Sequence, residues 1–176
     1  ALKARHIEAA ETLVSGWRFT DLLTEFEQIW SELDEGLEKV LQSGNCSREC
    51  RASILTVGER LSAAIMTSAF CAADQEAILL DARTCIRTDD QFEEAQVDFD
   101  LSNDLIREAV AAAADQIIVV PGFTGATGDG RTTMLGRSGS DYSATIIAGA
   151  LGAEQVIIWT DVAGVMSADP RLVPAA

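Results

Sequence analysis

Short apolar runs alternate with helices in the second half of the chain, and this order constrains the fold more than any other feature. The runs "IIVVPGF" (117–123) and "QVIIWTD" (155–161) have the length and composition of buried strands, and a helix is predicted over 140–153 between them. A strand, a loop, a helix and a second strand in this order are typical of a parallel α/β sheet. Ligands bind beyond the carboxyl ends of such strands, so loops 122–140 and 160–171 are the candidate sites.

The first half of the chain predicts helices. Apolar side chains recur at helical spacing from Phe19 to Val40, with acidic residues on the opposite, solvated face, and Gly44 marks the end of this helix. A second helix is predicted over 47–72. Gly58 interrupts it, and a glycine there implies tight packing or a ligand because glycine weakens a helix.

Two further elements complete the prediction. The run 77–82 is interpreted as a buried strand, and 102–116 as a helix with Ser102 as its N-cap. We therefore expect one partial domain with a mainly helical part (1–73) and an α/β part (74–176).

Composition excludes several classes of protein. A formal net charge of -15 argues against a nucleic-acid partner. No apolar run approaches membrane-spanning length, so no membrane partner is expected. His6 is the only histidine and the four cysteines lack metal spacing, so we expect no metal site built from these residues and no Ser-His-Asp triad. Unpatterned cysteines also indicate reduced thiols and a cytoplasmic location.

The loop before the predicted helix 140–153 has the composition of an anion site. The helix start at Gly139-Ser140-Asp141 offers free backbone N–H groups and the positive end of the helix dipole, and Arg137 can bind a carboxylate through two hydrogen bonds. Asp141 can orient an ammonium group. A plain turn, a capped helix and a surface arginine explain the same residues, so both interpretations stay open at this point.

Three other positions also have both a functional and a purely structural interpretation. Asp161 follows a strand end, where a carboxylate can accept ribose hydroxyls, and Arg171 offers a cation for phosphate; the alternative is a solvated connection with an Asp-Pro turn. Glu59 can meet a substrate ammonium, or it is a surface glutamate paired with Arg60 or another neighbour. Trp159 is expected in the core.

These segments together resemble the catalytic domain of aspartate kinases, within the amino-acid kinase family. The resemblance lies in "TTMLGRSGSDYSA", "IWTDVAGV" and "ADPRLVP", with "GERLSAAI" and "LLDARTCIRTDDQF" in the expected order before them. It implies a three-layer αβα sandwich around a mostly parallel sheet, preceded here by a helical segment. It also implies transfer of the γ-phosphoryl group of ATP, with Mg²⁺, to the side-chain carboxylate of L-aspartate, giving 4-phospho-L-aspartate for lysine, threonine and methionine biosynthesis.

The resemblance also assigns roles to individual residues. Arg137 and Asp141 are the expected catalytic residues. The expected substrate-binding residues are Glu59, Phe123, Arg137, Ser138, Gly139, Ser140 and Asp141. The expected nucleotide-binding residues are Thr160, Asp161, Met166 and Arg171, although many relatives carry a tyrosine at the position of Met166.

Departures from the family pattern lead to further expectations. The first-strand Lys-Phe-Gly-Gly segment of the family is absent, so we expect an internal fragment that is inactive alone and derives from an active kinase. Ser138 replaces a commoner glycine, as in the branch fused to homoserine dehydrogenase. Family members commonly form dimers, so a homo-oligomer is expected for the full-length parent.

Other functions remain possible at this stage. Another amino-acid kinase, acting on glutamate, acetylglutamate, carbamate or UMP, would share the sheet but not both loop sequences. A non-catalytic module that binds aspartate or nucleotide, or pairs with a full subunit, is a second alternative. A purely structural α/β domain is a third.

Overall fold

Helices come first along the chain, and alternating strands and helices follow. The computed structural model describes residues 1–159 and 173. The early helices are α1 (Leu2–Leu13), α2 (Trp17–Ser43), α3 (Arg48–Leu55) and α4 (Val57–Ala72). The later elements are β1 (Ala77–Leu79), α5 (Ala82–Cys85), β2 (Arg87–Thr88), α6 (Phe99–Ala112), β3 (Ile117–Val119), β4 (Thr124–Thr127), β5 (Thr132–Met134) and α7 (Gly139–Leu151).

The early helices share one apolar core. On α2, the buried side chains recur every three or four residues, and they pack against α1, α4 and the end of β1. Gly44 ends α2 in the left-handed conformation and donates its N–H to the Val40 carbonyl at 2.9 Å. The predicted helix over 19–40 is therefore confirmed. The buried residues of this core are Ala10, Val14, Leu22, Phe26, Ile29, Trp30, Leu33, Val57, Leu61, Ala64 and Ile65.

The strands pair mainly in parallel. β1 and β3 pair in parallel with Ala77 opposite Ile117, and β2 and β4 pair in parallel with Arg87 opposite Ala126. β4 and β5 form an antiparallel hairpin inside the predicted loop 122–140, which the sequence analysis did not anticipate. A second apolar core lies under α6 and α7. The predicted α/β fold with parallel strands is thus confirmed.

The predicted second helix is broken at a different residue. α3 and α4 meet at Thr56, not at Gly58. The buried Thr56 hydroxyl donates to the Ala52 carbonyl at 3.0 Å, and such a bond back to the preceding turn bends a helix. A Cβ on Gly58 would meet nothing within 4 Å, so tight packing does not explain that glycine.

The helix after β2 begins earlier than predicted. Asp98 is its N-cap and accepts the N–H of Leu101 at 3.1 Å. Ser102, predicted as the cap, is fully buried inside α6 and bonds to the backbone of Arg87. The Ser102 hydroxyl, which the sequence pattern assigned to the N-cap, therefore bonds to the backbone of β2 instead.

The apolar run after α7 does not form the predicted strand within the described residues. Residues 155–159 have no strand assignment, and Trp159 is 92% exposed instead of lying in the core. A strand needs a hydrogen-bonded neighbour, and among the described residues none pairs with this run.

The segment Arg48–Ala72 is long and apolar enough to cross a membrane by length and composition alone. It consists of two helices that meet at Thr56, and Leu61 and Ala64 of α4 are completely buried in the helical core. The core helix of a folded domain meets the same criterion, so this segment is a weak indication of a membrane span.

Candidate functional site

The chain crosses itself closely at the carboxyl end of β3. The Gly122-Phe123 turn lies against the first residues of α7, and a Cβ on Gly139 would lie 2.6 Å from Cδ2 of Phe123. A Cβ on Gly122 would lie 2.9 Å from Cα of Ser140. Both glycines therefore permit an approach that no other residue allows, and the crossing joins the two ends of the glycine-rich loop.

Ser143 holds this crossing in place. Its hydroxyl accepts the N–H of Phe123 at 2.9 Å and donates to the carbonyl of Gly139 at 2.8 Å. Ser143 is 2% exposed, so these bonds form away from solvent. Ser143 was not among the predicted site residues; the available signal was a serine four residues after Gly139, on the same helix face.

Phe123 and Ser138 adopt backbone conformations that side chains rarely take. Their φ angles are 66° and 56°, in the left-handed region. The N–H of Leu135 donates to the Phe123 carbonyl at 2.9 Å and stabilises this turn. Strain that neighbouring bonds maintain in this way often marks a functional site.

The start of α7 presents open hydrogen-bond donors. Ser138 occupies the N-cap position without a side-chain cap bond. Within residues 1–159 and 173, the N–H groups of Ser140 and Asp141 have no acceptor. Both residues are exposed, and Arg137 beside them is exposed as well. This end of the helix can therefore bind a carboxylate or phosphate oxygen.

One cleft, here called the Arg137 cleft, opens on one side of the crossing. Its volume is about 460 Å³. Arg48 of α3 and Glu93 both line it, and Arg51 holds the Glu93 carboxylate in an ion pair of 2.8 Å. The lining residues are Arg48, Gln91, Glu93, Glu94, Phe123, Gly136 and Arg137.

A second cleft, here called the Glu59 cleft, opens between α4, β3 and α7. Its volume is about 530 Å³, and Gly122, Ser140 and Ser143 line it together with Glu59 and apolar side chains. Glu59 is half-buried and forms no ion pair with another described residue. The alternative that Glu59 pairs with Arg60 is wrong, because Arg60 binds Glu32 instead.

The structure thus groups the predicted substrate residues around one crossing. Phe123, Gly139 and Ser140 meet there, Arg137 lines one cleft and Glu59 lines the other. Asp141 lies exposed in the first turn of α7. The predicted nucleotide-binding residues Thr160, Asp161, Met166 and Arg171 lie outside the described residues.

Residues 6–176 match the sequence profile of the amino acid kinase family. The chain belongs to the amino acid kinase family. Among its relatives, the bifunctional aspartokinase/homoserine dehydrogenase of Haemophilus influenzae is 37% identical over 80% of the chain and 17% of that protein. The aspartokinase of Chlamydia muridarum is 40% identical over 74% of the chain and 30% of that protein.

A solved structure of this amino acid kinase family has the same fold. Escherichia coli aspartokinase III in complex with aspartate and ADP superimposes with a TM-score of 0.84 at 30% identity, over 94% of this chain and 36% of that protein. The predicted resemblance to aspartokinases and the amino-acid kinase fold are both confirmed. The chain spans about a third or less of the length of these relatives.

Proposed function

We propose that the protein transfers the γ-phosphoryl group of ATP to the side-chain carboxylate of L-aspartate. The observation that carries this proposal is the Glu59 cleft, which Glu59 lines together with Gly122 and Ser140 of the crossing. The similarity to an aspartokinase structure that holds aspartate and ADP supports the choice of substrates.

Charge complementarity assigns the parts of the amino-acid substrate. Arg137 binds a carboxylate of L-aspartate, and the N–H groups of Ser140 and Asp141 add donors for anionic oxygens. Glu59 binds the ammonium group, since its carboxylate has no partner among the described residues. Phe123, Ser138 and Gly139 shape the pocket through their backbone and, for Phe123, through its ring.

The amino acid kinase family supports ATP with Mg²⁺ as the proposed phosphoryl donor. Magnesium usually binds to one or two carboxylates and to substrate phosphates, so it needs no dedicated cage. Mg²⁺ neutralises phosphate charge when bound, and Asp141 is the proposed partner of the cations. Thr160, Asp161, Met166 and Arg171 are proposed to bind the nucleotide.

The transfer itself needs positioning more than covalent participation by the protein. A carboxylate oxygen of aspartate forms a bond to the γ-phosphorus as the bond to the ADP oxygen breaks, and no proton has to move. Arg137 and the helix N-terminus stabilise the negative charge of the reacting groups and hold them in line.

The test uses the protein translated from the complete reading frame that contains these residues. ADP release is measured with L-aspartate and with L-glutamate, for the wild type, Arg137→Gln and the control Arg5→Gln on the exposed face of α1. We expect turnover with L-aspartate only. Arg137→Gln should raise the KM for L-aspartate about 10- to 100-fold, the loss typical of hydrogen bonds to a charged group, and Arg5→Gln should not.

The other outcomes discriminate between functions. Turnover with L-glutamate would indicate another amino-acid kinase. Binding of L-aspartate or ATP without ADP release would indicate a non-catalytic module. An unchanged KM in Arg137→Gln would remove Arg137 from the substrate site.

We also infer a cytoplasmic homo-oligomer. Cys46, Cys50, Cys71 and Cys85 are all free thiols, which is typical of a reducing compartment. Light scattering of the purified protein measures the oligomeric state directly.

A further inference from the structure

A group of charged side chains, here called the Glu32 network, lies beside the candidate site. It contains Glu32 of α2, Arg60 of α4, and Asp81 and Arg83 around the start of α5. Arg60 donates from Nη1 to Oε2 of Glu32 at 2.5 Å and from Nη2 to Oε1 at 2.9 Å. The Arg60 side chain is only 11% exposed, so this two-bond pairing is partly protected from water.

Arg83 extends the network to the strands. Its guanidinium donates to Oδ2 of Asp81 at 2.6 Å and lies 3.4 Å from Oε2 of Glu32. It also reaches Oγ1 of the buried Thr132 on β5 at 3.5 Å. Glu32 is therefore shared by two arginines, although the sequence pattern placed it on a solvated acidic face.

The Glu32 network lies at the edge of the sheet where parallel α/β folds bind ligands. It lines a cleft of about 300 Å³ together with Leu79 and Pro121, at the carboxyl ends of the parallel strands β1 and β3. Pro121 immediately precedes the Gly122-Phe123 turn, and Glu59 immediately precedes Arg60. The network thus lies beside the two segments that carry Glu59 and the Gly122-Phe123 turn.

The network is not itself an anion site. The guanidinium of Arg60 is bound to Glu32, and that of Arg83 to Asp81 and Glu32, so neither arginine offers a free cation. Partial burial raises the pKa of Glu32, but the hydrogen bonds and charges of Arg60 and Arg83 outweigh it and leave that pKa below its usual value. Glu32 therefore stays ionised and keeps both arginines occupied.

We propose that Glu32 is a positioning residue for substrate binding. Through its two bonds to Arg60 it fixes the first turn of α4, and with it Glu59, relative to the Gly122-Phe123 turn. This inference rests on the proposed function, because Glu59 is the proposed partner of the substrate ammonium. Glu32 is about half exposed, and ion pairs open to solvent contribute little to stability, so its removal should change the site more than the fold.

The experiment compares Glu32→Gln with Glu27→Gln in the protein translated from the complete reading frame. Both changes remove one charge from α2, but Glu27 is exposed and forms no ion pair with another described residue. We expect Glu32→Gln to raise the KM for L-aspartate about five- to tenfold, with kcat and the KM for ATP unchanged, because uniform substrate binding is lost. Glu27→Gln should match the wild type.

Two additional measurements keep the inference open to refutation. Arg60→Lys retains the charge but loses the second hydrogen bond, so its KM should lie between those of the wild type and Glu32→Gln. Hydrogen exchange of backbone amides 60–63, the first amides of α4 that have helical acceptors, should be faster in Glu32→Gln than in Glu27→Gln, whether or not the protein turns over aspartate.

The outcomes separate this inference from the proposed function. If the wild type has no aspartate-dependent turnover, the proposed function fails and the amide exchange decides whether Glu32 positions α4. If the wild type is active but Glu32→Gln and Glu27→Gln have equal KM values and equal exchange, the positioning role is wrong.

Discussion

Gly139 is the single residue on which the crossing of the two loops depends most. A methyl group there would lie 2.6 Å from Cδ2 of Phe123, closer than real side chains approach, and 3.1 Å from its Cα, a tight contact. We therefore expect Gly139→Ala to lower the free energy of unfolding by about 1–3 kcal/mol, the usual cost of overpacking, and to weaken aspartate binding. Urea unfolding measures the first effect and calorimetric titration the second.

Gly149 provides a matched control on the same helix. A Cβ there would meet nothing within 4 Å, and its φ angle is not in the left-handed region. Gly149→Ala should raise the free energy of unfolding by about 0.5–1 kcal/mol, because alanine favours a helix interior. Equal effects of the two substitutions would show that the contact with Phe123 does not constrain position 139.

At this scale the sequence located the loop residues but not their mutual contacts. Glycines and a Ser-Asp pair before an apolar helix are local features, and they predicted where α7 begins. The left-handed backbone of Phe123 and the hydrogen bond from its N–H to Ser143, 20 residues away, arise only in the folded chain, so no local pattern contains them.

At the scale of elements, α6 is tied to β2 through one buried hydroxyl. Ser102 accepts the N–H of Arg87 at 2.9 Å, and its own hydroxyl lies 3.3 Å from the Arg87 carbonyl. Ser102→Ala should lower the free energy of unfolding by about 1–3 kcal/mol, because the partly buried N–H of Arg87 would lose its partner. Replacing the exposed Ser31 on α2 by alanine is the control and should have little effect. A similarly small effect of Ser102→Ala in thermal or urea unfolding would mean that water replaces the hydroxyl.

Helix interiors were predictable because their period is local, whereas some boundaries were not. Asp98 and Ser102 are both good capping residues, and only the contact with β2 decides between them. The hairpin of β4 and β5 was hidden for a different reason. Its buried residues include Thr124, Thr127, Thr132 and Thr133, so it lacks the apolar pattern that identifies a core strand.

At the scale of the whole molecule, the Glu32 network joins elements that are far apart in sequence. Glu32 lies 28 residues from Arg60 and 51 residues from Arg83. Helix α2 carries several acidic side chains at similar spacing, so the pattern alone could not select the one that is paired. The fold class followed from local periodicity and strand order, whereas this long-range pairing required the folded structure.

The same network predicts how stability depends on pH. Arg60 and Arg83 outweigh the effect of burial on Glu32, so its folded pKa lies below the ordinary value of 4.5. The pairing therefore contributes stability above about pH 4.5, and this contribution is lost as pH falls through the lowered pKa. Glu25 lines the same cleft, and its effect on stability has the opposite sign. Burial raises the pKa of its carboxyl despite the charge of Arg60. Its ionisation above that raised pKa therefore disfavours folding.

Urea unfolding between pH 7 and pH 3 tests whether ionised Glu32 stabilises the fold and whether ionised Glu25 destabilises it. The wild type should be more stable than Glu32→Gln at pH 7, and the difference should shrink towards zero at low pH, where the Glu32 carboxyl becomes as neutral as the glutamine amide. Glu25→Gln should instead be more stable than the wild type at pH 7, with a difference that also shrinks on acidification. A Glu32→Gln variant whose stability runs parallel to that of the wild type at every pH would show that Arg60 and Arg83 do not lower the pKa of this carboxyl.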